Sequence, residues 1–194
     1  DNMDPETTKE FVTDIGREAE RLSRITENLL RLTRLDGGVV QAAYPVAIEP
    51  VMRRVERMLG VVAGEKGVAI SGSASEDAVA LATEDDVHQI LYNLMENAIK
   101  YSAAENGFVR AEASVQDGQV VITVTDNGIG IPDEDLPHIF DRFYRVDKMR
   151  SREVGGTGLG LSIVKHAVQY HHGVIQLKSE VGKGTEIRVT FPAA

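Results

Sequence analysis

The dipeptide Asp117-Gly118, set between two alternating apolar stretches, constrains this chain more than any other feature. A two-residue Asp-Gly loop favours a tight turn that pairs its flanking strands antiparallel in a fixed register. The spacing therefore predicts strands over Phe108 to Val115 and Gln119 to Thr125. Alternation places Val120, Ile122 and Val124 on one buried face, and the same period carries Asp126 onto it. The stretch that follows, TDNGIGIPDED at residues 125 to 135, has two readings. Asp, Asn and Gly are the ordinary residues of a strand-to-loop turn. They would equally serve a ligand site in which Asp126 meets a hydrogen-bond donor and the glycines let backbone approach it.

The remaining pattern is mixed α/β. Apolar residues Val51, Val55, Met58, Leu59 and Val62 predict an amphipathic helix after Pro50. Val68 to Ile70 and Val79 to Leu81 are short strand candidates. A helix is expected from about Glu84 to Tyr101, opened by Thr83 and Asp86 at capping-box spacing. Residues 131 to 157 read as a long loop with broken helical fragments, anchored by Phe140 and Phe143. Helix resumes over Leu159 to His171, and a last hairpin pairs Val174 to Ser179 with Thr185 to Phe191. Residues 1 to 36 differ: Asp4-Pro5-Glu6 suits a helix start. Phe11, Ile15, Leu22, Ile25, Leu29 and Leu32 then follow the 3-4 spacing of a coiled-coil or hairpin seam. Gly37-Gly38 should end that helix. Packing on the chain's own domain is the rival explanation of the stripe.

Composition excludes several classes. No apolar run approaches the ~18 residues of a membrane span. There is no cysteine, hence no disulfide or thiolate metal site, and no signal peptide is visible. A net charge of -9 argues against sequence-independent binding to nucleic acid.

Three further stretches carry chemistry. In HQILYNLMENAIKYS, residues 88 to 102, Asn93, Asn97 and Lys100 fall at i, i+4 and i+7 opposite the apolar stripe. A solvated face explains Lys100 well and explains two mid-helix asparagines poorly. The other reading is one wall of a nucleotide site, because an amide oxygen can ligate magnesium and a lysine can meet phosphate. GGTGLGLS, residues 155 to 162, precedes a helix and is either a flexible connection or an anion cradle of backbone amides. It lacks the Gly-Lys-Ser/Thr ending of a Walker loop. Between them, Arg142, Arg145, Lys148, Arg150 and Arg152 form a basic stretch suited to receiving an anion. A buried Asp126 carboxylate needs a partner, and an adenine amino group is a donor of the right size.

Taken in order, these stretches resemble the catalytic and ATP-binding region of sensor histidine kinases, within the superfamily that includes gyrase and the mismatch-repair ATPases. NLMENAIKYS looks like the N box, DNGIGIP the first glycine box, IFDRFYR the phenylalanine box, GGTGLGL the second glycine box and GKGT the last Gly-Thr motif. The resemblance implies a two-layer α/β sandwich of Bergerat type, a mixed sheet backing helices, preceded by a long coiled-coil-like helix. It implies a boundary between residues 1–37, the second helix of a dimerisation and histidine-phosphotransfer hairpin, and a catalytic domain over 38–194.

It also implies roles. Asn97 would ligate Mg²⁺ with Asn93 in support, and Lys100 and Arg145 would be catalytic through the phosphates of ATP. Tyr101 would line the pocket and Asp126 would accept from the adenine amino group. Gly128, Gly130 and Ile131 would shape the base pocket, with Thr185 near the adenine. Tyr144 and Arg145 would act from the lid, and Gly156, Thr157, Gly158, Leu159, Gly160 and Leu161 would wrap the phosphates. Glu96 is a tempting base beside Asn97 but lies about sixty degrees from the Asn93 direction.

The implied reaction is transfer of the ATP γ-phosphoryl group to a histidine on the hairpin, for relay to the receiver domain of a response regulator. The implied whole is a homodimer, with this part a possible monomer and the cytoplasmic end of a membrane-associated sensor. The first hairpin helix and the phospho-acceptor, a His followed by an acid, are expected outside these 194 residues. His88, His138, His166, His171 and His172 match no such motif and read as surface or partly packed residues. A nucleotide-gated binding module and a serine-directed kinase are the competing functions. The hairpin-like helix favours the histidine kinase.

Overall fold

A computed structural model describes residues 4–36, 42–103, 105–146 and 157–194. Its order is α1 (Pro5–Asp36), β1 (Tyr44–Ala47), α2 (Ile48–Glu65), β2 (Ala69–Ala74), β3 (Val79–Ala82), α3 (Glu84–Lys100), β4 (Phe108–Gln116), β5 (Gln119–Asp126), α4 (Gly160–Tyr170), β6 (Val174–Glu180) and β7 (Gly184–Pro192).

The hairpin that opened the sequence reading forms as expected. Asp117 and Gly118 both adopt positive φ, 50° and 74°, the pairing of signs that a twist-compatible two-residue turn requires. β4 and β5 pair from Gln116↔Gln119 to Val109↔Asp126. β5 is the middle strand of a five-stranded mixed sheet ordered β2-β4-β5-β7-β6, in which only β2 and β4 run parallel. Val120, Ile122 and Val124 are buried on its helix-facing side, with Val189 and Phe191 of β7 beside them. Helices α2, α3 and α4 cover that side. Asp126 thus comes to lie at the end of a buried row, beneath the helices.

Thr83 caps α3 by accepting the Asp86 N–H at 3.2 Å, while its hydroxyl donates to Asp86 Oδ2 at 2.8 Å. The capping acid therefore returns to the threonine hydroxyl. α2 begins two residues before Pro50, which sits in the first turn where its missing N–H costs nothing. The buried face of α2 is Ile48, Val51, Met52, Val55, Leu59 and Ala63, and Met58 and Val62 point outward, correcting the stripe read from sequence. β1 was not foreseen; its four residues pair with β3.

α1 starts at a capping Asp4, whose Oδ2 accepts from the Thr7 hydroxyl at 2.7 Å. Ile25 packs on Leu159 and Ile163 of the α4 region, whereas Phe11, Ile15 and Leu22 remain more than half exposed. The apolar stripe is thus met by the chain's own domain at one point and left open along the rest of its described length. Leu32 lies among the residues whose side chains are not described.

Candidate functional site

The asparagine face of α3 is covered, not solvated. Asn93 is only 8% exposed, and Asn97 and Lys100 are half-buried. The element that covers it is the start of α4. A Cβ placed on Gly160 would stand 3.2 Å from Asn93 Oδ1 and 3.9 Å from Asn97 Nδ2, so the α4 backbone passes beside both side chains. Asn93 Nδ2 is buried and has no hydrogen-bond partner among the described residues. Leaving such a donor unpaired costs about 1–3 kcal/mol. The N-cap residue of α4, Leu159, has no capping side chain, and the free amides and dipole of a helix N-terminus favour an anion there. Lys100 Nζ lies 5.0 Å from the Tyr101 ring centroid, and the Lys100 carbonyl accepts from Lys66 Nζ at 3.3 Å. Tyr101 itself is 43% exposed.

At the sheet end, the Gly128 N–H donates to Asp126 Oδ1 at 2.8 Å. Burial pushes the Asp126 carboxyl above the usual carboxylate range, and the Gly128 and Thr185 backbone amides that donate to it pull the other way. A side chain at Gly128 is excluded, because its Cβ would fall 2.2 Å from the Tyr101 carbonyl oxygen. This close approach lets the Ile129 N–H reach the same carbonyl at 3.0 Å, docking the loop on the end of α3. Gly130, at φ 68°, abuts the Glu180 carbonyl, and the Ile131 N–H donates to Ser179 Oγ at 2.9 Å. Thr185 is the cross-strand neighbour of Asp126. At this rim of the sheet an open depression of about 280 Å³ is lined by Asp126 and Thr185 together with Thr125, Lys178 and Glu186 of the row that faces away from the helices.

Two contributors were not singled out from sequence. Asn127 Oδ1 accepts the Phe108 N–H at 2.8 Å and its Nδ2 donates to the Asn106 carbonyl at 2.9 Å, fixing the turn before β4. Its presence in a turn-rich stretch was the only local signal. Ser179 joins the glycine loop to β7 and carried none.

In the segment after β5, Ile139 is the buried anchor; Phe140 is half-buried and Phe143 is 57% exposed, which corrects the anchors expected. The Phe143 N–H donates to the Gly158 carbonyl at 2.9 Å, so the two ends of the 144–157 stretch meet. Arg142 Nη2 reaches His166 Nε2 at 3.1 Å, and His166 Nδ1 lies 2.8 Å from the Ser162 carbonyl. A carbonyl only accepts, so Nδ1 carries the hydrogen and Nε2 accepts from the guanidinium. Tyr144 directs its hydroxyl to Asp135, a bond that raises the phenol pKa. Arg145 follows, half-buried. Thr157 Oγ1 accepts the Leu159 N–H at 3.3 Å. The Leu159 side chain is fully buried against Ile163 and that of Leu161 packs on the main core, which leaves their backbones to the site. Gly156, Lys148, Arg150 and Arg152 lie outside the described residues. His171, expected at or near the surface, is instead 3% exposed and bonded to Asp86.

The structure thus brings Asn93, Asn97 and Gly160 together at one end of the helix layer. It gathers Tyr101, Asp126, Gly128, Gly130, Ile131 and Thr185 where α3 meets the sheet.

A mixed sheet backing helices, with an asparagine face opposed to a glycine-rich helix start, is the arrangement of a recognised class of ATPases. Residues 82–194 match the family described as histidine kinase-, DNA gyrase B-, and HSP90-like ATPase, and the chain belongs to that family. Within it, similarity runs to sensor histidine kinases. The chain is 34% identical over 187 residues to sensor histidine kinase YkoH of Bacillus subtilis, covering 96% of this chain and 40% of that protein. It is 36% identical to sensor-like histidine kinase SenX3 of Mycolicibacterium smegmatis, covering 97% and 49%. The chain therefore spans less than half the length of these relatives. Among solved structures, full-length ShkA in complex with AMPPNP superposes with a TM-score of 0.81 at 30% identity, over 100% of this chain and 40% of that one.

Proposed function

We propose that this chain is the ATP-binding kinase core of a sensor histidine kinase, transferring the γ-phosphoryl group of ATP to a histidine on a dimerisation hairpin for relay to a response regulator. Residues 38–194 are the catalytic domain in this reading, and 1–37 the second helix of the hairpin. The observation that carries it is the buried Asn93 Nδ2, without a partner among the described residues, beside the start of α4, where Leu159 provides no side-chain cap. The Asn93 Nδ2 donor and the amides of the α4 N-terminus converge there, and a polyphosphate is the ligand that supplies acceptors to both. The AMPPNP bound by ShkA agrees with a nucleoside triphosphate.

Asp126, stitched to the glycine loop yet raised in pKa by burial, accepts from the adenine amino group. Tyr101, Gly128, Gly130, Ile131 and Thr185 enclose the base. The backbone from Gly156 to Leu161 holds the phosphates, with Lys100, Tyr144 and Arg145 around them. Lys100 must leave the Tyr101 ring to reach phosphate, a change its flexible stem permits. Mg²⁺ suits amide oxygens together with phosphate oxygens and water. In this reading Asn97, supported by Asn93, holds it. When bound it neutralises phosphate charge.

In the transfer, a neutral imidazole nitrogen attacks Pγ, the Pγ–O bond to the β-phosphate breaks and ADP departs. Lys100 and Arg145 stabilise the charge spread over the γ oxygens. No histidine of the chain is followed by Glu or Asp, so the acceptor is supplied by the other hairpin helix. No helix among the described residues is long and apolar enough to cross a membrane; the chain is read as the cytoplasmic end of a membrane-associated, dimeric sensor.

The test supplies a hairpin bearing a His-acid motif on a separate polypeptide with radiolabelled ATP and Mg²⁺. The expected product is acid-labile and base-stable phosphohistidine on the hairpin. ATP binding without labelling of any supplied hairpin would favour a nucleotide-gated binding module, and stable labelling of Ser or Thr would favour a serine kinase.

A further inference from the structure

Ser179 Oγ stands at a junction of three contacts. It accepts the Ile131 N–H at 2.9 Å, donates to the Gly184 carbonyl oxygen at 2.9 Å and lies 2.9 Å from Thr185 Oγ1. A hydroxyl has one hydrogen. The Gly184 carbonyl can only accept, so the Ser179 hydrogen is committed there. The remaining contact then requires Thr185 to be the donor, and its own hydrogen points at Ser179. What Thr185 Oγ1 has left is acceptor capacity.

Thr185 and Asp126 are cross-strand neighbours, so their side chains share the helix-facing side of the sheet. Asp126, as a carboxylate, is an acceptor too. We propose that Ser179 is a specificity-determining residue: by holding the Thr185 hydroxyl as an acceptor, it makes this end of the site select a purine with a 6-amino group over one with a 6-oxo group. An exocyclic amino group brings two N–H donors. A 6-oxo group brings lone pairs to face two acceptors, and a site built for a donor rejects a ligand that leaves its polar groups opposed. Without Ser179, the Thr185 hydroxyl is released to rotate and donate to the oxo group. The inference rests on the adenine-nucleotide reading above.

The experiment compares calorimetric affinities for ATP and inosine triphosphate, which carries a 6-oxo group, in the wild-type chain, Ser179→Ala, Thr185→Val and the double variant, all with Mg²⁺. Wild type is expected to prefer ATP. Ser179→Ala should narrow the ATP-to-inosine ratio about tenfold, Thr185→Val should narrow it comparably, and the double variant should match Thr185→Val alone. Simple loosening of the loop held by Ser179 would weaken both nucleotides alike and leave the ratio in place. An unchanged ratio in folded Ser179→Ala overturns the proposal. Should that variant fail to fold, an unchanged ratio in Thr185→Val overturns it instead. Wild-type chain that binds neither nucleotide would defeat the underlying reading, an outcome visible before any variant is made.

Discussion

His171 Nε2 lies 2.9 Å from Asp86 Oδ2, and both side chains are buried, at 1% and 9% exposure. The pair ties the end of α4 to the first turn of α3, the two helices that frame the candidate site. Asp86 Oδ2 also takes the Thr83 hydroxyl, and the His171 ring packs edge-on against Tyr170 and Phe191. His171→Ala removes a partner from a buried carboxylate and opens a void beside Phe191. A loss of about 3 kcal/mol in urea unfolding is expected. A change below about 0.5 kcal/mol would place the pair among indifferent contacts.

Asp126 should trade stability for binding. Its carboxyl titrates above the usual range in the folded chain, so between the ordinary Asp range and that raised value the folded state holds more proton than the unfolded one. Stability then falls as pH rises through this window and levels off above it. Asp126→Asn abolishes this dependence, so the variant should gain on wild type across the window. It should meanwhile bind ATP more weakly by about 1–3 kcal/mol, because an Asn donor can oppose the adenine amino group. Parallel pH titrations of the melting temperature would expose a flat difference, which contradicts the first half; equal ATP affinity contradicts the second.

His172 adopts φ 58° immediately after α4, in the left-handed region. A side chain there costs roughly 1–2 kcal/mol that glycine avoids. The ring is exposed, so little packing offsets the strain. His172→Gly is expected to raise stability by about 1 kcal/mol, read as a higher urea midpoint with an unchanged slope. A lower midpoint would mean that the imidazole holds a contact worth more than the strain.

What could be read from sequence follows the range of the forces involved. The β4–β5 hairpin was legible because its turn residues and its period of two are local, and Asp126 followed by counting along the strand. The helix period likewise gave Asn93 and Asn97 a common face. Whether that face was wet depended on Gly160, brought against it only by tertiary packing, and so the solvated reading stayed open until the fold was known. His171 was misplaced for the same reason: its partner is 85 residues away. β1 is too short to show alternation, and Ser179 acts through contacts with the glycine loop and β7. The start of α1 was visible in its Asp4 cap, whereas Gly37-Gly38, expected to end it, lies outside the described residues. Its contact through Ile25 was not.

Asn93 and Asn97 separate two roles on one helix face. Asn93 buries an amide whose Nδ2 has no partner among the described residues, so its removal in Asn93→Ala costs the empty chain little. The unfolding free energy should stay within about 1 kcal/mol of wild type, because loss of packing is offset by loss of an unsatisfied donor. ATP affinity should nonetheless fall about tenfold, the phosphate having lost its buried donor. Asn97 is half-buried and nearer solvent, the better place for a metal that keeps part of its water shell. Asn97→Ala should therefore remove the Mg²⁺ dependence of ATP binding, while Asn97→Asp keeps that dependence and weakens binding through added charge beside the phosphates. Calorimetric titrations of each variant with and without Mg²⁺ decide the matter. Identical Mg²⁺ responses in wild type and Asn97→Ala would strip Asn97 of its metal role, and an Asn93→Ala chain that unfolds readily yet binds ATP as tightly as wild type would make Asn93 a packing residue.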